Sequence, residues 1–163
     1  MSSEQLVSLA TLVGAKLKAR GALLATAESC TGGWVAQAAT AIAGSSDWFE
    51  RGFVSYSNAA KQEMLGVSAA TLATHGAVSE QTAREMAIGA LAHSRAQVAL
   101  AITGIAGPTG GSPEKPVGTV CFAWLEKDGA PVALTRHIDG DRESVRRQSV
   151  IVALQGVLDL LDA

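Results

Sequence analysis

The spacing of apolar and polar residues predicts that helices and strands alternate along this chain. Four apolar residues near the amino terminus recur at helical spacing: Leu6, Leu9, Val13 and Leu17. This amphipathic helix should end before Gly21, and the apolar run over residues 22–27 then predicts a buried strand. The small, alanine-rich segment over residues 31–43 favours a second helix that packs closely on a sheet. The chain therefore begins as helix, strand and helix.

The middle of the chain continues this alternation. Apolar and small polar residues alternate over residues 52–57, which is typical of a strand, and a helix-favouring run begins at Asn58. Ser79 is a suitable N-cap for a helix over residues 80–93, because its hydroxyl can accept a hydrogen bond from an amide of the first turn. Residues 98–102 are continuously apolar and predict another buried strand.

The carboxy-terminal part predicts a hairpin and a closing helix. Residues 117–125 and 132–138 are typical of antiparallel strands joined by a turn at Asp128-Gly129. The segment from Arg142 carries apolar residues on one helical face and should close the core. This order of elements predicts an α/β fold with three layers, α/β/α, in which helices cover both faces of a mixed sheet. At 163 residues, we expect a single domain over residues 1–163.

The composition excludes several classes of protein. Hydrophobic residues make up 48% of the chain and charged residues 17%, which is typical of a globular protein with a real core. The longest apolar runs are much shorter than a bilayer span, and the amino terminus lacks the features of a signal peptide, so we expect no membrane partner and a cytoplasmic location. A net charge of −2 without a long basic run, and seven aromatic rings in all, predict no nucleic-acid partner.

Metal chemistry is not indicated either. The two cysteines, Cys30 and Cys121, are too few for a cysteine metal site, and without a signal peptide we expect free thiols. No cluster of His, Cys, Asp and Glu has the spacing of metal ligands, so the expectation is chemistry without a metal or another cofactor.

Ser29 is the most informative residue, because it lies where the first predicted strand turns into a helix. A helix start has unpaired amides and the positive end of the helix dipole, which can hold a substrate anion or an oxyanion beside a hydroxyl. A serine hydroxyl needs a neighbouring base. The three histidines have no evident link to an orienting carboxylate, which argues against a Ser-His-Asp triad. Lys61, near a second helix start, is a more interesting base, although a solvated helix lysine is the more common interpretation.

Other residues near these positions have two interpretations each. The Tyr56 phenol could relay a proton or position a substrate ring, or Tyr56 could be an ordinary half-buried strand residue. Cys30 is a rival nucleophile if its thiol pKa is depressed, and otherwise a small buried residue. Gly32 and Gly33 could let a ligand approach the backbone, or could only permit close packing. The Gly- and Pro-rich loop that begins at Thr103 is of the kind that often carries function.

Two arginines, Arg142 and Arg146, lie four residues apart on the last predicted helix. Together they could hold a phosphate group. A solvated helix face that includes Glu143 is the commoner interpretation of such a pattern.

Four segments in the same order closely resemble the CinA carboxy-terminal domain family. They are TAESCTGG at residues 26–33, YSNAAK at 56–61, GAVS at 76–79 and TGIAGP at 103–108. A fifth segment, KPVGTV at residues 115–120, also matches the family pattern. The resemblance spans nearly the whole chain, and four ordered motifs are far more specific than any one of them.

The resemblance implies a nicotinamide-nucleotide amidase that converts nicotinamide mononucleotide to nicotinate mononucleotide and ammonia in pyridine nucleotide (NAD) salvage. In the family's serine-lysine mechanism, Ser29 would be the nucleophile and Lys61 its general base, with Tyr56 assisting. Amides around residues 31–33 or at Gly104 would stabilise the oxyanion. The residues expected to bind the substrate are Thr31, Gly32, Gly33, Asn58, Thr103, Gly104, Ala106, Gly107, Arg142 and Arg146. The family also implies a homodimer or a higher homo-oligomer.

Two other functions stay open at this point. One is a non-catalytic nucleotide-binding or regulatory module linked to DNA uptake or damage responses, as the family name suggests. The other is a thiol hydrolase in which Cys30 is the nucleophile.

Overall fold

The computed structural model describes residues 3–163, in which six α-helices surround a five-stranded sheet. The strands are β1 (Leu24–Glu28), β2 (Phe49–Val54), β3 (Val98–Gly104), β4 (Thr119–Glu126) and β5 (Val132–His137). The helices are α1 (Ser3–Arg20), α2 (Trp34–Thr40), α3 (Asn58–Leu65), α4 (Ala69–His75), α5 (Glu80–Ala92) and α6 (Arg142–Asp162). A short 3₁₀ turn at Ser45–Asp47 precedes β2.

The sheet is mixed, with the strand order β2-β1-β3-β4-β5. Strand β1 pairs in parallel with β2 and with β3, whereas β3, β4 and β5 pair antiparallel. In the hairpin between β4 and β5, the Gly129 amide donates to the Glu126 carbonyl at 2.9 Å, and Asp128 within this turn has a positive φ of 70°. Because the three parallel strands end at the same edge of the sheet, the loops that follow them converge there.

Helices cover both faces of the sheet, which confirms the predicted α/β class. Helices α1, α2 and α6 pack with the face that includes Phe122 and Trp124, and the Trp124 indole donates a hydrogen bond to the Ala153 carbonyl at 2.9 Å. Helix α5 lies across the other face, against β1, β3 and β4. At Gly89 it approaches α3 so closely that a Cβ would lie 1.9 Å from the Leu65 carbonyl oxygen. Among residues 3–163, no helix combines the length and the apolar character of a membrane span.

Two predicted boundaries are wrong for identifiable reasons. Helix α2 begins at Trp34 and not at residue 31, because Gly32 and Gly33 have positive φ angles of 59° and 102° that are not helical. Strand β2 covers Phe49–Val54 and not residues 52–57, because its pairing with β1 runs over that range. Tyr56 therefore lies in the loop after β2, so the strand interpretation of Tyr56 is wrong.

Candidate active site

Ser29 immediately follows β1 at the edge where the parallel strands end. Its amide donates to the Ile102 carbonyl of β3 at 3.0 Å, which fixes its backbone to the neighbouring strand. Its carbonyl accepts the Gly32 amide at 3.1 Å and so closes a tight turn. The residue is 6% exposed, so its hydroxyl lies in a site from which most water is excluded.

Lys61 reaches Ser29 from the first turns of α3. Its Nζ lies 3.0 Å from the Ser29 Oγ and 3.0 Å from the Tyr56 carbonyl oxygen. The Ser57 side chain caps this helix by accepting a hydrogen bond from the Ala60 amide, which fixes where the helix begins and hence where Lys61 lies. Lys61 is 1% exposed, so the interpretation of this residue as a solvated helix lysine is wrong.

Burial determines the charge state that this amine favours. Removal from water lowers the pKa of Lys61 below the ordinary lysine value, and only a negative charge on the nearby Cys30 sulfur would oppose this shift. A neutral amine within hydrogen-bond distance of a hydroxyl can accept its proton. The pair therefore has the geometry and the electrostatics of a serine nucleophile with a lysine base.

Tyr56 contributes to this pair through its backbone. Its carbonyl accepts a hydrogen bond from Lys61 and lies 3.5 Å from the Ser29 hydroxyl, which acts as the donor. The residue is 64% exposed, so most of its surface is open to solvent. The ring is therefore accessible to a bound ligand.

Cys30 is a poor nucleophile in this environment. Burial raises the pKa of its thiol to about 12, and the smaller effects of a backbone hydrogen bond and of the Arg146 charge do not reverse this shift. The reactive species of a cysteine is its thiolate, which is scarce at neutral pH when the pKa is so high. This environment favours Ser29 over Cys30 as the attacking group.

Glu28 is a site residue that sequence reasoning missed. It is 1% exposed, and its carboxylate accepts hydrogen bonds from the Thr31 hydroxyl at 2.7 Å and from the amides of Val35 and Ala36 at 2.9 and 3.0 Å. The expectation that the first amides of this helix are unpaired is therefore wrong for Val35 and Ala36. The signal that could have revealed Glu28 is an isolated carboxylate at the end of an apolar strand, directly before a Gly-rich turn.

The loop after β3 lies at the same edge of the sheet. The Thr103 hydroxyl donates to the Ala77 carbonyl at 2.7 Å, which ties β3 to the loop before α5. Gly104 faces β4 so closely that a Cβ would lie 2.8 Å from the Val120 side chain. Ala106 and Gly107 are buried. The structure thus brings this loop close to the turn that carries Ser29, since β1 and β3 are neighbouring strands.

Both arginines of α6 contact these loops. Arg142 is exposed and donates to the Gly107 carbonyl at 2.7 Å, and Arg146 donates to the carbonyls of Cys30 and Thr31 at 3.1 and 3.3 Å. A role for either side chain in phosphate binding stays a prediction. Asn58, the first residue of α3, is also exposed near the site.

Histidines and metal ligands are not part of this arrangement. His75 ends α4, His93 caps the carboxyl end of α5 and His137 ends β5, whereas the base that contacts Ser29 is Lys61. The part of the chain that the structure describes has no group of three His, Cys, Asp or Glu side chains that could hold a metal ion.

Comparisons with known proteins agree on one family. The model of the CinA C-terminal domain family matches residues 6–161. Two proteins named nicotinamide-nucleotide amidohydrolase PncC are similar over nearly their whole length. The one from Escherichia coli (strain K12) is 59% identical over 155 residues, which cover 95% of this chain and 94% of the relative. The one from Enterobacter agglomerans is 55% identical over 158 residues, which cover 97% and 96%.

A solved structure has the same fold. The crystal structure of the competence/damage inducible protein CihA from Agrobacterium tumefaciens superposes with a TM-score of 0.93 at 48% sequence identity. The match covers 98% of this chain and 96% of that one. The likeness therefore extends over the sheet, both helical layers and the loops that form the site.

The environment of Cys30 predicts a thiol that resists alkylation. In a Cys121→Ala variant, whose only thiol is Cys30, iodoacetamide at pH 8 should modify the folded protein far more slowly than the urea-unfolded protein, because burial suppresses the thiolate. Mass spectrometry over time measures both rates. Rapid and complete labelling of the folded protein would contradict the raised pKa.

Proposed function

Because the chain belongs to the CinA C-terminal domain family, we propose that it hydrolyses the carboxamide of nicotinamide mononucleotide to nicotinate mononucleotide and ammonia. Both relatives compared above carry the name of that amidohydrolase activity. The observation that carries the proposal is the 3.0 Å contact between the Ser29 hydroxyl and the buried Lys61 amine. The reaction serves NAD salvage, since its product retains the ribose and the phosphate.

In the first half of the proposed reaction, neutral Lys61 takes the proton of the Ser29 hydroxyl while Oγ attacks the carboxamide carbon. The carbonyl π electrons move onto oxygen and form a tetrahedral intermediate. The Lys61 ammonium then gives its proton to the leaving nitrogen, the carbon–nitrogen bond breaks, and ammonia departs from an acyl-serine. The Tyr56 carbonyl supports these transfers because it holds Nζ next to Oγ.

In the second half, a water molecule takes the place of ammonia. Lys61 accepts a proton from this water, whose oxygen attacks the acyl carbon, and the proton then returns to Ser29 Oγ as the ester bond breaks. The Cys30 amide is our candidate donor to the oxyanion, because it follows the nucleophile directly and donates to no backbone carbonyl within residues 3–163. The Gly32 amide is a weaker candidate, since it already donates to the Ser29 carbonyl.

The remaining substrate contacts follow from the position of each loop. We propose that the exposed Tyr56 ring packs against the pyridine ring, with Asn58 beside it. The Thr103–Gly107 loop, through Thr103, Gly104 and Ala106, would line the pocket for the reacting group. Arg142 is our candidate ligand for the phosphate, because it is exposed and one of its five donors is engaged by the Gly107 carbonyl. The two free thiols agree with a cytoplasmic enzyme.

Removal of the Ser29 hydroxyl tests the proposed chemistry. Wild-type protein should release ammonia from nicotinamide mononucleotide without added metal, and Ser29→Ala should lose this rate by a factor of about 10³ or more, because the attacking atom is gone. Cys30→Ala is the matched control and should retain most of the rate. Activity that survives in Ser29→Ala and disappears in Cys30→Ala would favour the thiol hydrolase. Nucleotide binding without ammonia release by the wild type would favour the non-catalytic module.

The lowered pKa of Lys61 predicts how the rate depends on pH. The neutral amine is the active form, so the rate should rise with pH and reach half its maximum below the ordinary pKa of lysine. Lys61→Arg should be nearly inactive at every pH, because a guanidinium stays protonated. Lys127→Arg, on the exposed hairpin turn, is the control that should keep the wild-type profile. A wild-type profile for Lys61→Arg would remove the lysine base from the mechanism.

We further propose that the protein is a homodimer. An apolar groove of about 650 Å³ lies between α1, α6 and β5, and its lining includes Leu9, Leu12, Trp124, Val132 and Leu134. Leu12 and Val132 are 53% and 55% exposed, and β5 is an edge strand of the sheet. A second copy related by a two-fold axis would cover this surface with the same surface of its own.

A charge in this groove should break the dimer. Light scattering after size-exclusion chromatography should report a dimer for the wild type and a monomer for Val132→Arg, because the contact would bury a charged guanidinium against a largely apolar surface. Ile88→Arg, at a residue 47% exposed on α5, is the control that should stay dimeric. A monomeric wild type at tens of micromolar would overturn the proposed dimer.

A further inference from the structure

Arg146 lies next to the turn that carries Ser29, although it belongs to the last helix of the chain. Its Nε and Nη2 donate to two consecutive backbone carbonyls, those of Cys30 and Thr31, at 3.1 and 3.3 Å. Its guanidinium also lies 5.5 Å from the centre of the Trp34 ring. The side chain is thus held by three groups, all of them in or next to the Ser29 turn.

We propose that Arg146 is a positioning residue, whose guanidinium fixes the turn after Ser29 and thereby aims the Ser29 hydroxyl and the Cys30 amide at the reacting carbonyl. This inference rests on the proposed acyl transfer at Ser29. In this inference the Arg146 guanidinium binds the backbone of the turn and does not bind the substrate phosphate.

The turn depends on bonds from two directions. From the sheet side, the buried Glu28 carboxylate holds the Thr31 hydroxyl and the first amides of α2. From the α6 side, Arg146 holds the carbonyls of Cys30 and Thr31. Between these anchors, Gly32 and Gly33 adopt positive φ angles, so the local sequence itself supplies little stiffness. Without Arg146, the Cys30 carbonyl would lose its contact with α6, whereas the Thr31 carbonyl would keep only the hydrogen bond from the Trp34 amide at 3.0 Å.

The shape of the guanidinium suits this role. Its planar fork can donate to two neighbouring oxygens at once, whereas a lysine ammonium acts as a compact point charge. Stacking on Trp34 restricts the fork before the substrate arrives. A phosphate ligand at the same atoms would have to compete with both carbonyls for these donors.

Arg147 provides a matched control on the same helix. Its guanidinium lies 5.6 Å from the centre of the same Trp34 ring, but its ion pair is with Glu143 of its own helix at 3.3 Å. Replacement of Arg147 therefore removes a similar charge and a similar stacking contact while the bonds to the Cys30 and Thr31 carbonyls stay. A difference between the two positions isolates the effect of those bonds.

The experiment compares Arg146→Gln, Arg146→Lys and Arg147→Gln with the wild type. Each protein is assayed with nicotinamide mononucleotide and with the corresponding nucleoside, which has no phosphate. For Arg146→Gln we expect kcat to fall by about 10- to 100-fold, and by a similar factor with both substrates. A nucleophile that is displaced from the reacting carbon attacks it more slowly. KM should change by less than about threefold. The kcat of Arg146→Lys should lie between those of Arg146→Gln and the wild type, and the kcat of Arg147→Gln should be close to that of the wild type.

A second measurement separates this inference from the proposed function. A fluorophosphonate reacts with an activated serine and places its phosphonyl oxygen where an oxyanion would form. Arg146→Gln should be labelled at Ser29 more slowly than the wild type by about the same 10- to 100-fold. If the wild type releases no ammonia, the proposed function fails, and the labelling rates still decide the role of Arg146.

Three results would overturn the inference. One is a defect confined to KM for the phosphate-bearing substrate, which would make Arg146 a phosphate ligand. Another is a folded Arg146→Gln variant whose labelling rate and kcat equal those of the wild type. The third is an equal loss of kcat in Arg147→Gln, which would attribute the effect to the positive charge or to the contact with Trp34 and not to the bonds with the turn. Circular dichroism checks the fold, and if Arg146→Gln does not fold, the intermediate rates expected of Arg146→Lys provide the test.

Discussion

The contact between the Lys61 amine and the Ser29 hydroxyl is the interaction on which the rest of the site depends. A charged ammonium loses much of its hydration when it is buried, and this cost shifts the equilibrium of Lys61 toward the neutral amine. The same burial that removes water also raises the pKa of Cys30, so one environment favours a neutral amine beside the Ser29 hydroxyl and disfavours the thiolate of the neighbouring cysteine. In the proposed reaction, desolvation therefore favours the serine as the nucleophile, although the intrinsic reactivity of the two side chains would favour the thiol.

The topology explains how this contact can form at all. Ser29 follows β1, Tyr56 and Lys61 follow β2, and Thr103 ends β3, and these three strands are parallel and adjacent. Their following loops therefore meet at one edge of the sheet, which is where ligands bind in open α/β folds. The amide of Ser29 donates to β3 and the carbonyl of Glu28 accepts the Ser55 amide after β2, so the backbone at Ser29 is held between both neighbouring strands.

The buried Glu28 carboxylate fixes the start of α2 next to the site, which the helix start by itself would not do. Three hydrogen bonds satisfy Glu28, which makes its burial tolerable, and they also fix where α2 begins. The helix amides that might have held an oxyanion are therefore engaged in structure. This leaves the turn itself, between Ser29 and the positive-φ glycines, as the place where backbone donors can face a substrate.

The sequence by itself determined the α/β class and the order of the strands and of every described helix except α4, and it predicted which residues react. Apolar periodicity indicates which faces are buried. The Ser79 cap and the turn at Asp128 depend only on residues that are close in sequence, so both could be predicted from the local pattern. The local pattern gave Lys61 only as a candidate base, and the family resemblance favoured that role over a solvated helix lysine. Only the tertiary structure decided that Lys61 is buried, that the Tyr56 carbonyl and not its ring holds the amine, and that Glu28 and Arg146 fix the turn. Each of these facts depends on burial or on contacts between residues far apart in the chain, which no local pattern encodes.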